Sequence, residues 1–334
     1  MRRLIAIVAI VGLTGCGPLR AQAPGDAPRE GAVASDLRRD GALATVAEGP
    51  AARSSGRAEG TRLDADAIQE ASGLTGALMS DGALRITRPR GDLKVALDGF
   101  AITPRMGLAG SIVFLPHPSG ALLTGVLAVA SDELQPVVSA LVDAGLEPTA
   151  VHGHFAGEEP RILFVHFDGA GNAIALARGV RDVQEAIVRV RAARPLKTTA
   201  VEAHSELDAS HLDVILGRQG ELDNGVYRVA APRSDLRVVE LGVALDGTLR
   251  PASWAAFQGT PLRAAVAGEL VLVPSEVPQA VHALRESRIG ITGIHGESSR
   301  REPRLVIVSF WGVDRLDGLA AGVRRALDLL PRGG

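Results

Sequence analysis

Cysteine is almost missing from this 334-residue chain: Cys16 is its only one. No disulfide can form within the chain, and no cysteine-rich zinc or redox motif is available. A chain of this length buries enough apolar surface to fold without such staples. Aromatic residues are scarce as well, at 3%. Few rings are therefore on hand to stack nucleobases or sugars, and the core has to be built from Val, Leu, Ile and Ala. Neither sign of charge dominates. Thirty-six Lys and Arg against 38 Asp and Glu leave a formal charge of −2, which gives no basic footprint for nucleic acid. The Walker A, GxSxG, HExxH and CxxC patterns do not occur, so the usual handles on nucleotide, serine and zincin-type hydrolysis are missing too. What is left is an ordinary globular balance, 46% hydrophobic and 22% charged, over a length that predicts two domains.

The N-terminus has a different composition. Met1-Arg2-Arg3 is a positive leader, residues 4–13 are a short apolar run, and Thr14-Gly15-Cys16 follows. The run is too short to span a membrane as a mature helix and reads as a signal peptide over residues 1–15. Leu13-Thr14-Gly15-Cys16 resembles the bacterial lipobox. That resemblance implies cleavage before Cys16, lipidation of its thiol, and a partner that is the membrane itself. Gly17, where an Asp would signal inner-membrane retention, implies the outer membrane in a two-membrane bacterium. Loss of Arg2 and Arg3 with the leader would take the formal charge to −4. Residues 16–61 are rich in Ala, Gly, Pro, Arg and Asp without apolar periodicity, and are expected to be a flexible tether between lipid and fold.

An internal repeat sets the rest. Pro89-Arg-Gly-Asp-Leu-Lys-Val95 returns as Pro232-Arg-Ser-Asp-Leu-Arg-Val238, 143 residues on. The same step carries Glu133 to Glu276, His152-Gly153 to His295-Gly296, Glu159-Pro-Arg161 to Glu302-Pro-Arg304, and Gly179-Val-Arg181 to Gly322-Val-Arg324. Ungapped correspondence over that distance means two copies of one unit. The expected boundaries are 62–191 for the first copy, 192–206 for a linker and 207–331 for the second. Within the first copy, residues 83–87 and 93–97 read as a strand pair around an Arg90-Gly-Asp92 turn. Residues 111–115 and 122–129 read as further strands. A helix is expected to start with Ser131 as N-cap and to end at Gly145, and strands are expected over 149–155 and 162–167. A last helix is capped by Asn172, with Ile174, Leu176, Ala177, Val180, Val183, Ile187 and Val188 inward. The class is α+β, two tandem copies of a β-rich unit ending in β-α-β-β-α, which resembles part of a ferredoxin-like unit.

Residues 151–167, VHGHFAGEEPRILFVHF, hold the candidate chemistry. Alternation puts His152 and His154 on one strand face. With residues 156–160 as the turn, His166 falls opposite Ala150, one diagonal step from His152 and within reach of it. Imidazoles converging from two strands, with Glu158 as a fourth ligand, suit a divalent transition metal, zinc first. Glu158 or Glu159 would then be the general base. Three protein ligands and an open position would support metal-assisted hydrolysis, whereas four would make a closed, structural site. The alternative for the same residues is a set of solvated strand histidines. Phe164 and Ile162 share the imidazole face and would keep it partly dry. His117, in Leu115-Pro-His-Pro118, is a further candidate pocket residue, as are Trp254 and Phe257 from the second copy. There His154 becomes Glu297, Glu158 becomes Arg301 and His166 becomes Ser309, so His295 remains with a poor ligand set and a structural or partner-facing role is expected. His204, His211 and His282 stand alone and read as surface or linker residues.

Two stretches resemble the family of DUF1259, or LppY/LpqO-type, bacterial lipoproteins. One runs from Gly217-Arg-Gln-Gly220 through Gly225-Val-Tyr-Arg228 to Ser253-Trp-Ala-Ala-Phe-Gln258. The other is His152-Gly-His-Phe-Ala-Gly-Glu158 with Pro160-Arg161 and His166. Gly153 stands where the family usually has Asn. The resemblance spans about residues 64–330 and implies a lipoprotein with its site at the histidines, but no reaction. Two functions fit. One is a lipid-anchored envelope protein with a metal site in the first copy that acts on a small molecule or envelope ligand. The other is a non-enzymatic binding or structural lipoprotein.

Overall fold

The computed structural model describes residues 62–196, 201, 204–298 and 300–331. The expected signal peptide, Cys16 and the tether lie outside the described residues. The first repeat runs α1 (Ala65–Ser72), β1 (Ala77–Leu78), β2 (Leu84–Pro89), β3 (Val95–Leu97), β4 (Phe100–Ile102), β5 (Ala109–His117), β6 (Gly120–Ala130), α2 (Leu134–Asp143), β7 (Glu147–His152), β8 (Ile162–Gly171) and α3 (Ala173–Ala193). The second runs α4 (Ala209–Leu216), β9 (Glu221–Asp223), β10 (Val226–Pro232), β11 (Val239–Glu240), β12 (Val243–Ala244), β13 (Ala252–Gly259), β14 (Ala264–Leu272), α5 (Val277–Glu286), β15 (Gly290–His295), β16 (Arg301–Glu302), β17 (Val306–Asp314) and α6 (Leu316–Asp328). Among the described residues no helix is long and apolar enough to cross a membrane.

The main sheet of each repeat is antiparallel and six-stranded, with β3-β4 and β12-β11-β16 forming two smaller sheets. The strand orders are β1-β2-β5-β6-β8-β7 and β9-β10-β13-β14-β17-β15, which correspond strand for strand. The molecule is thus an α+β fold of two similar β-rich repeats. Period-two alternation gives each sheet two unlike faces. One face of the first sheet, with Leu84, Ile86, Phe114, Leu123 and Phe167, is covered by Val137, Leu141, Leu176 and Val180 of α2 and α3. The second sheet repeats this with Phe257, Val266 and Phe310 beneath Leu284, Leu319 and Val323.

The opposite faces serve the contact between repeats. Ala128, Ile162 and Phe164 of the first sheet share one apolar cluster with Val226, Ala256, Ala267 and Trp311 of the second. Each repeat also lays a hairpin across its neighbour's inner face. From the first, the β3–β4 hairpin sets Phe100 edge-on to Trp311, with ring centroids 6.5 Å apart. Gln258 Nε2 donates to Ala101 O at 2.7 Å, and Trp311 Nε1 donates to Asp98 Oδ2 at 2.8 Å. From the second, Leu241, Val243 and Leu249 cover Ala83, Val113, Leu115 and Leu122, and Thr248 N donates to Asp81 Oδ2 at 2.8 Å. Both hairpins turn through two residues of positive φ, Asp98-Gly99 and Leu241-Gly242, as tight two-residue turns require.

Several expected elements are redrawn. Residues 83–87 and 93–97 do not pair with each other: β2 pairs with β1 and β5, and β3 with β4. The cause is Arg90, which is no turn residue. It is buried, its guanidinium bridges both oxygens of Asp92 and of Glu133 at 2.8–2.9 Å, and it also donates to Ala128 O. That anchorage takes the chain out of the sheet after Pro89. Arg233, Asp235 and Glu276 repeat the arrangement. Ser131 is not the N-cap of α2, which follows Glu133; the Ser131 hydroxyl donates to Arg161 O instead. Asn172 does cap α3, accepting from the amides of Ile174 and Ala175. Val188, expected inward on α3, is 65% exposed. The strand expected over 149–155 ends at His152.

Glu133 has no solvent exposure and faces Arg90 and Arg191. Replacing it by Ala leaves two guanidinium groups without their shared carboxylate and the Ala130 amide without its acceptor. Urea denaturation of Glu133→Ala is expected to show a loss of about 3–5 kcal/mol, the cost of breaking a buried pair from one side.

Candidate metal centre

Strand register brings the histidines together. Strands β7 and β8 pair Ala150 with His166, Val151 with Val165 and His152 with Phe164. His152 and His166 therefore stand on the same inner face, one diagonal step apart, as the turn at residues 156–160 predicts. His154 has left the strand and lies in the loop. Its ring stacks on Phe164 with centroids 3.5 Å apart and planes 7° from parallel.

The third ring at the centre comes from the other repeat. His295, at the end of β15, lies against His152 with centroids 3.4 Å apart, and His152 is 4.9 Å from His166. His152, His166 and His295 each offer a ring nitrogen, and these three atoms lie within 4.8 Å of one another. The edges of the two sheets meet here. Thr292 Oγ1 donates to His154 O at 2.6 Å. At Gly293, beside a bulge in β15, an added Cβ would sit 3.2 Å from Gly153 O. A side chain there would push the two edges apart.

Around the rings the second repeat supplies carboxylates. Glu269 Oε1 lies 3.0 Å from His154 Nε2, while its Oε2 accepts from Trp254 Nε1 at 2.9 Å. The Arg228 guanidinium lies over the Trp254 ring, 4.0 Å from its centroid. On the other side Arg301 bridges Glu297 and Glu240, with Glu240 Oε2 at 3.1 Å. Ser298 Oγ donates to the buried Asp168 at 3.4 Å.

Burial dominates the proton chemistry. It lowers the pKa of His152, helped by the neighbouring His154, His295 and His166. It lowers His166 against the pull of Glu297 and Glu269, takes His154 down to about 3 with help from His166, and takes His295 down to about 4 against Glu269. Burial, with Glu297 nearby, raises the Glu269 carboxyl. Burial and then Glu240 push Asp168 up to about 7. Against burial, Arg301 and His166 hold Glu297 down to about 2. The rings are thus neutral, with lone pairs available.

Among the described residues, both ring nitrogens of His152 and of His295, and Nε2 of His166, are buried without a hydrogen-bond partner, and so are those of His154 in the loop beside them. Each unmet polar atom costs about 1–3 kcal/mol. The five on the three central rings together reach about 5–15 kcal/mol, the whole stability of a typical domain. One ion would take one nitrogen from each ring and relieve three of the five, and imidazole is a standard ligand of zinc and its neighbours. The donor set fits a divalent transition metal.

The other residues singled out in the sequence lie elsewhere. Glu158 is buried, but its Oε1 accepts from the Ile162 amide and its Oε2 faces Arg161 at 3.6 Å, so it caps the start of β8 and does not join the three rings. The Glu159 side chain is exposed, and its backbone bridges to Ala96. His117 sits in the β5–β6 turn with Ser119, six residues along β5 from Ser111, which is abreast of His166. Trp254 reaches the site through Glu269. Phe257, three residues on, points to the opposite face and fills the second repeat's helix-side core. His204 and His211 are exposed, next to Glu206 and Asp317. The residues missed as site components are His295 and Glu269. His295 carried a signal, since it is the repeat image of His152. Glu269 carried none, because its image is Val126. His152, His154, His166 and His295 line neither the cavity beside Arg88 and Gln184 nor the one beside Phe100 and His204.

Fold and site together define a duplicated α+β protein with a histidine cluster, able to hold a metal, in the seam between its halves. Residues 66–186 and 210–329 match the family described as Domain of Unknown Function (DUF1259), and the chain belongs to that family. No curated protein matches. Among solved structures, the trimeric bacterial microcompartment shell protein PduB is similar at 8% identity, covering 78% of this chain and 91% of its own, with a TM-score of 0.20. The double-ringed trimeric shell protein of the RMM microcompartment follows at 12% identity, 74% and 98% coverage and a TM-score of 0.18. EtuB from Clostridium kluyveri follows at 10% identity, 77% and 91% coverage and a TM-score of 0.18. Likeness at that level bears on neither fold nor function here.

The lowered imidazoles make stability pH-dependent in the metal-free protein. A base with a depressed folded pKa contributes stability that is complete above its unfolded value, near 6.5, and is lost as pH falls toward the folded one, about 4 for His295 and about 3 for His154. Asp168 and Glu269 act in the opposite sense, since a raised carboxyl stabilises at low pH and loses that contribution as pH rises through its folded value. Four rings outweigh two carboxyls. The urea midpoint of chelator-treated protein is expected to fall between pH 7 and pH 5.

Proposed function

We propose that this protein is a lipid-anchored component of a bacterial cell envelope whose two repeats jointly hold one divalent transition ion, zinc first, on His152, His166 and His295. The observation that carries the metal reading is the five buried nitrogens of the His152, His166 and His295 rings that have no hydrogen-bond partner among the described residues, each ring offering a ligand atom within 4.8 Å of the others. The lipobox-like run ending at Cys16 supports the anchor, and with Gly17 it supports the outer membrane where there are two. When bound, such an ion supplies Lewis acidity and lowers the pKa of coordinated water, which is what metal-assisted hydrolysis needs.

The chain's own residues then have separable tasks. Glu269 is the carboxylate in place to hold or move a proton, because its oxygens accept from Trp254 Nε1 and Ser309 Oγ, Oε1 lies 3.0 Å from His154 Nε2, and burial raises its pKa. It takes the role the sequence suggested for Glu158 and Glu159. Phe164, stacked on His154, excludes water from that side. Glu297, held ionised by Arg301, places negative charge beside the rings and favours a cation there.

A second reading keeps the ion and drops the reaction: a non-enzymatic envelope lipoprotein in which the metal clasps the halves. The origin of the ligands in both repeats favours it. Elemental analysis of the purified full chain is expected to find near one transition ion per molecule, lost in a His152→Ala, His166→Ala, His295→Ala triple variant and kept in His154→Ala. Protein free of metal as isolated and after zinc addition would end the proposal. Chelation lowers the thermal midpoint under either reading, because an ion bound only to the folded state at a hundred times its Kd contributes about 2.7 kcal/mol. X-ray absorption of the zinc-loaded protein separates them: a water oxygen completing the three imidazoles supports the reaction, and a shell of protein atoms alone supports the clasp. Cys16→Ser is expected to move the protein from the membrane to the soluble fraction.

A further inference from the structure

We infer that the first repeat carries a second ligand site, remote from the histidines in character and composition, for a small monocarboxylate with an apolar body. A cavity of about 480 Å³ lies between the end of β2, the middle of β6 and the last turns of α3, lined among others by Arg88, Gln184, Arg191, Leu127, Ile187 and Val188. That volume is in the range of small-molecule pockets, about 300–1,000 Å³.

Comparison of the two repeats separates scaffold from site. The buried frame of Arg90, Asp92 and Glu133 has its copy in Arg233, Asp235 and Glu276, so it belongs to the fold. The rest is particular to the first repeat. Helix α3 has 21 residues where α6 has 13, and the extra turns bring Ile187, Val188 and Arg191 to the cavity. Arg88 and Gln184 have Ala231 and Leu327 as their images, both buried apolar residues of the second core. Polar groups thus replace core side chains in one copy only, at the one place where a helix extension walls a cavity.

The donors define the ligand. Arg88 Nη2 donates to Gln184 Oε1 at 2.8 Å. Since guanidinium only donates, this contact fixes the amide orientation and turns Gln184 Nε2 away as a donor. Arg88 Nε and Gln184 Nε2 are both buried without a hydrogen-bond partner among the described residues. Two unmet donors, one on a cation, suit the two oxygens of a carboxylate. Arg191 already faces Asp132 and Glu133, and Arg90 faces Asp92 and Glu133. Among the described residues Arg88 is the one of these three arginines without an ion-paired carboxylate, and since the three guanidinium groups and the carboxylates of Asp92, Asp132 and Glu133 already balance, the site admits a single negative charge at Arg88 more readily than a phosphate dianion. Leu127, Ile187 and Val188 supply an apolar wall for the body of the ligand.

Calorimetric titration of the full chain with hexanoate tests this, with hexanol and hexylamine as head-group controls. The expected result is one hexanoate bound per chain, weakened at least about tenfold by Arg88→Ala and by Gln184→Leu, in line with the loss of a charge-assisted hydrogen bond. Both variants copy what the second repeat carries at the same place, and their thermal midpoints report whether the fold is kept. Hexanol and hexylamine are expected to bind at least about tenfold more weakly than hexanoate. No saturable hexanoate binding, an affinity unchanged in both variants, or equal binding of hexanol overturns the proposal. Chelation should change none of these values, which keeps this result independent of the metal centre.

Discussion

The structure depends on the mutual covering of two sheet faces. Each six-stranded sheet hides one side under its own helices and would leave the other bare. The bare sides are closed by the neighbour, through the shared cluster around Phe164, Ala267 and Trp311 and through the two exchanged hairpins. An apolar sheet face in water costs about 25 cal/mol per Å², so each repeat supplies a part of the core that the other lacks. The 143-residue duplication therefore makes one folding unit with an internal seam, and not two beads on a string.

Everything polar on the inner faces has to be satisfied inside that seam, and the distribution is uneven. Glu240, Arg301, Glu297 and Asp168 form a connected network in which each charge has a counterpart or a hydrogen bond, the condition under which buried polar groups are tolerated. Glu269 is held by Trp254 and Ser309. Among the described residues, both nitrogens of His152 and of His295 and Nε2 of His166 lack such support. Unequal satisfaction within one small volume marks those rings as the part of the seam that takes its partner from outside.

Much of this could be read from the residues. The repeat was plain in the matching segments around Arg90 and Arg233. The Ala150–His166 pairing followed from a turn at residues 156–160, because a hairpin's register is set once its turn is placed. The failures have physical causes as well. Residues 89–92 looked like a turn because of Gly91 and Asp92, but burial of Arg90 against Glu133, 43 residues away, overrides local turn chemistry. Glu158 looked like a ligand by spacing, yet its nearest need was the Ile162 amide. Within its own copy His295 has Glu297 and Ser309 at the positions of His154 and His166, a poor ligand set. Its real partners are the residues across the seam, and periodicity says which face a side chain takes without saying what that face meets.

The exchanged hairpins also impose an order of events during synthesis. The first sheet is complete once Gly171 has been made, but the segment that shields Ala83, Val113, Leu115 and Leu122 ends with Leu249. Roughly 80 further residues must be added first, about 4–16 s at 5–20 residues per second. For that interval the leading half exposes an aggregation-prone β surface and depends on a chaperone or on staying unfolded. A premature stop anywhere before Leu249 would therefore release a fragment with a sticky β surface, not a smaller working protein.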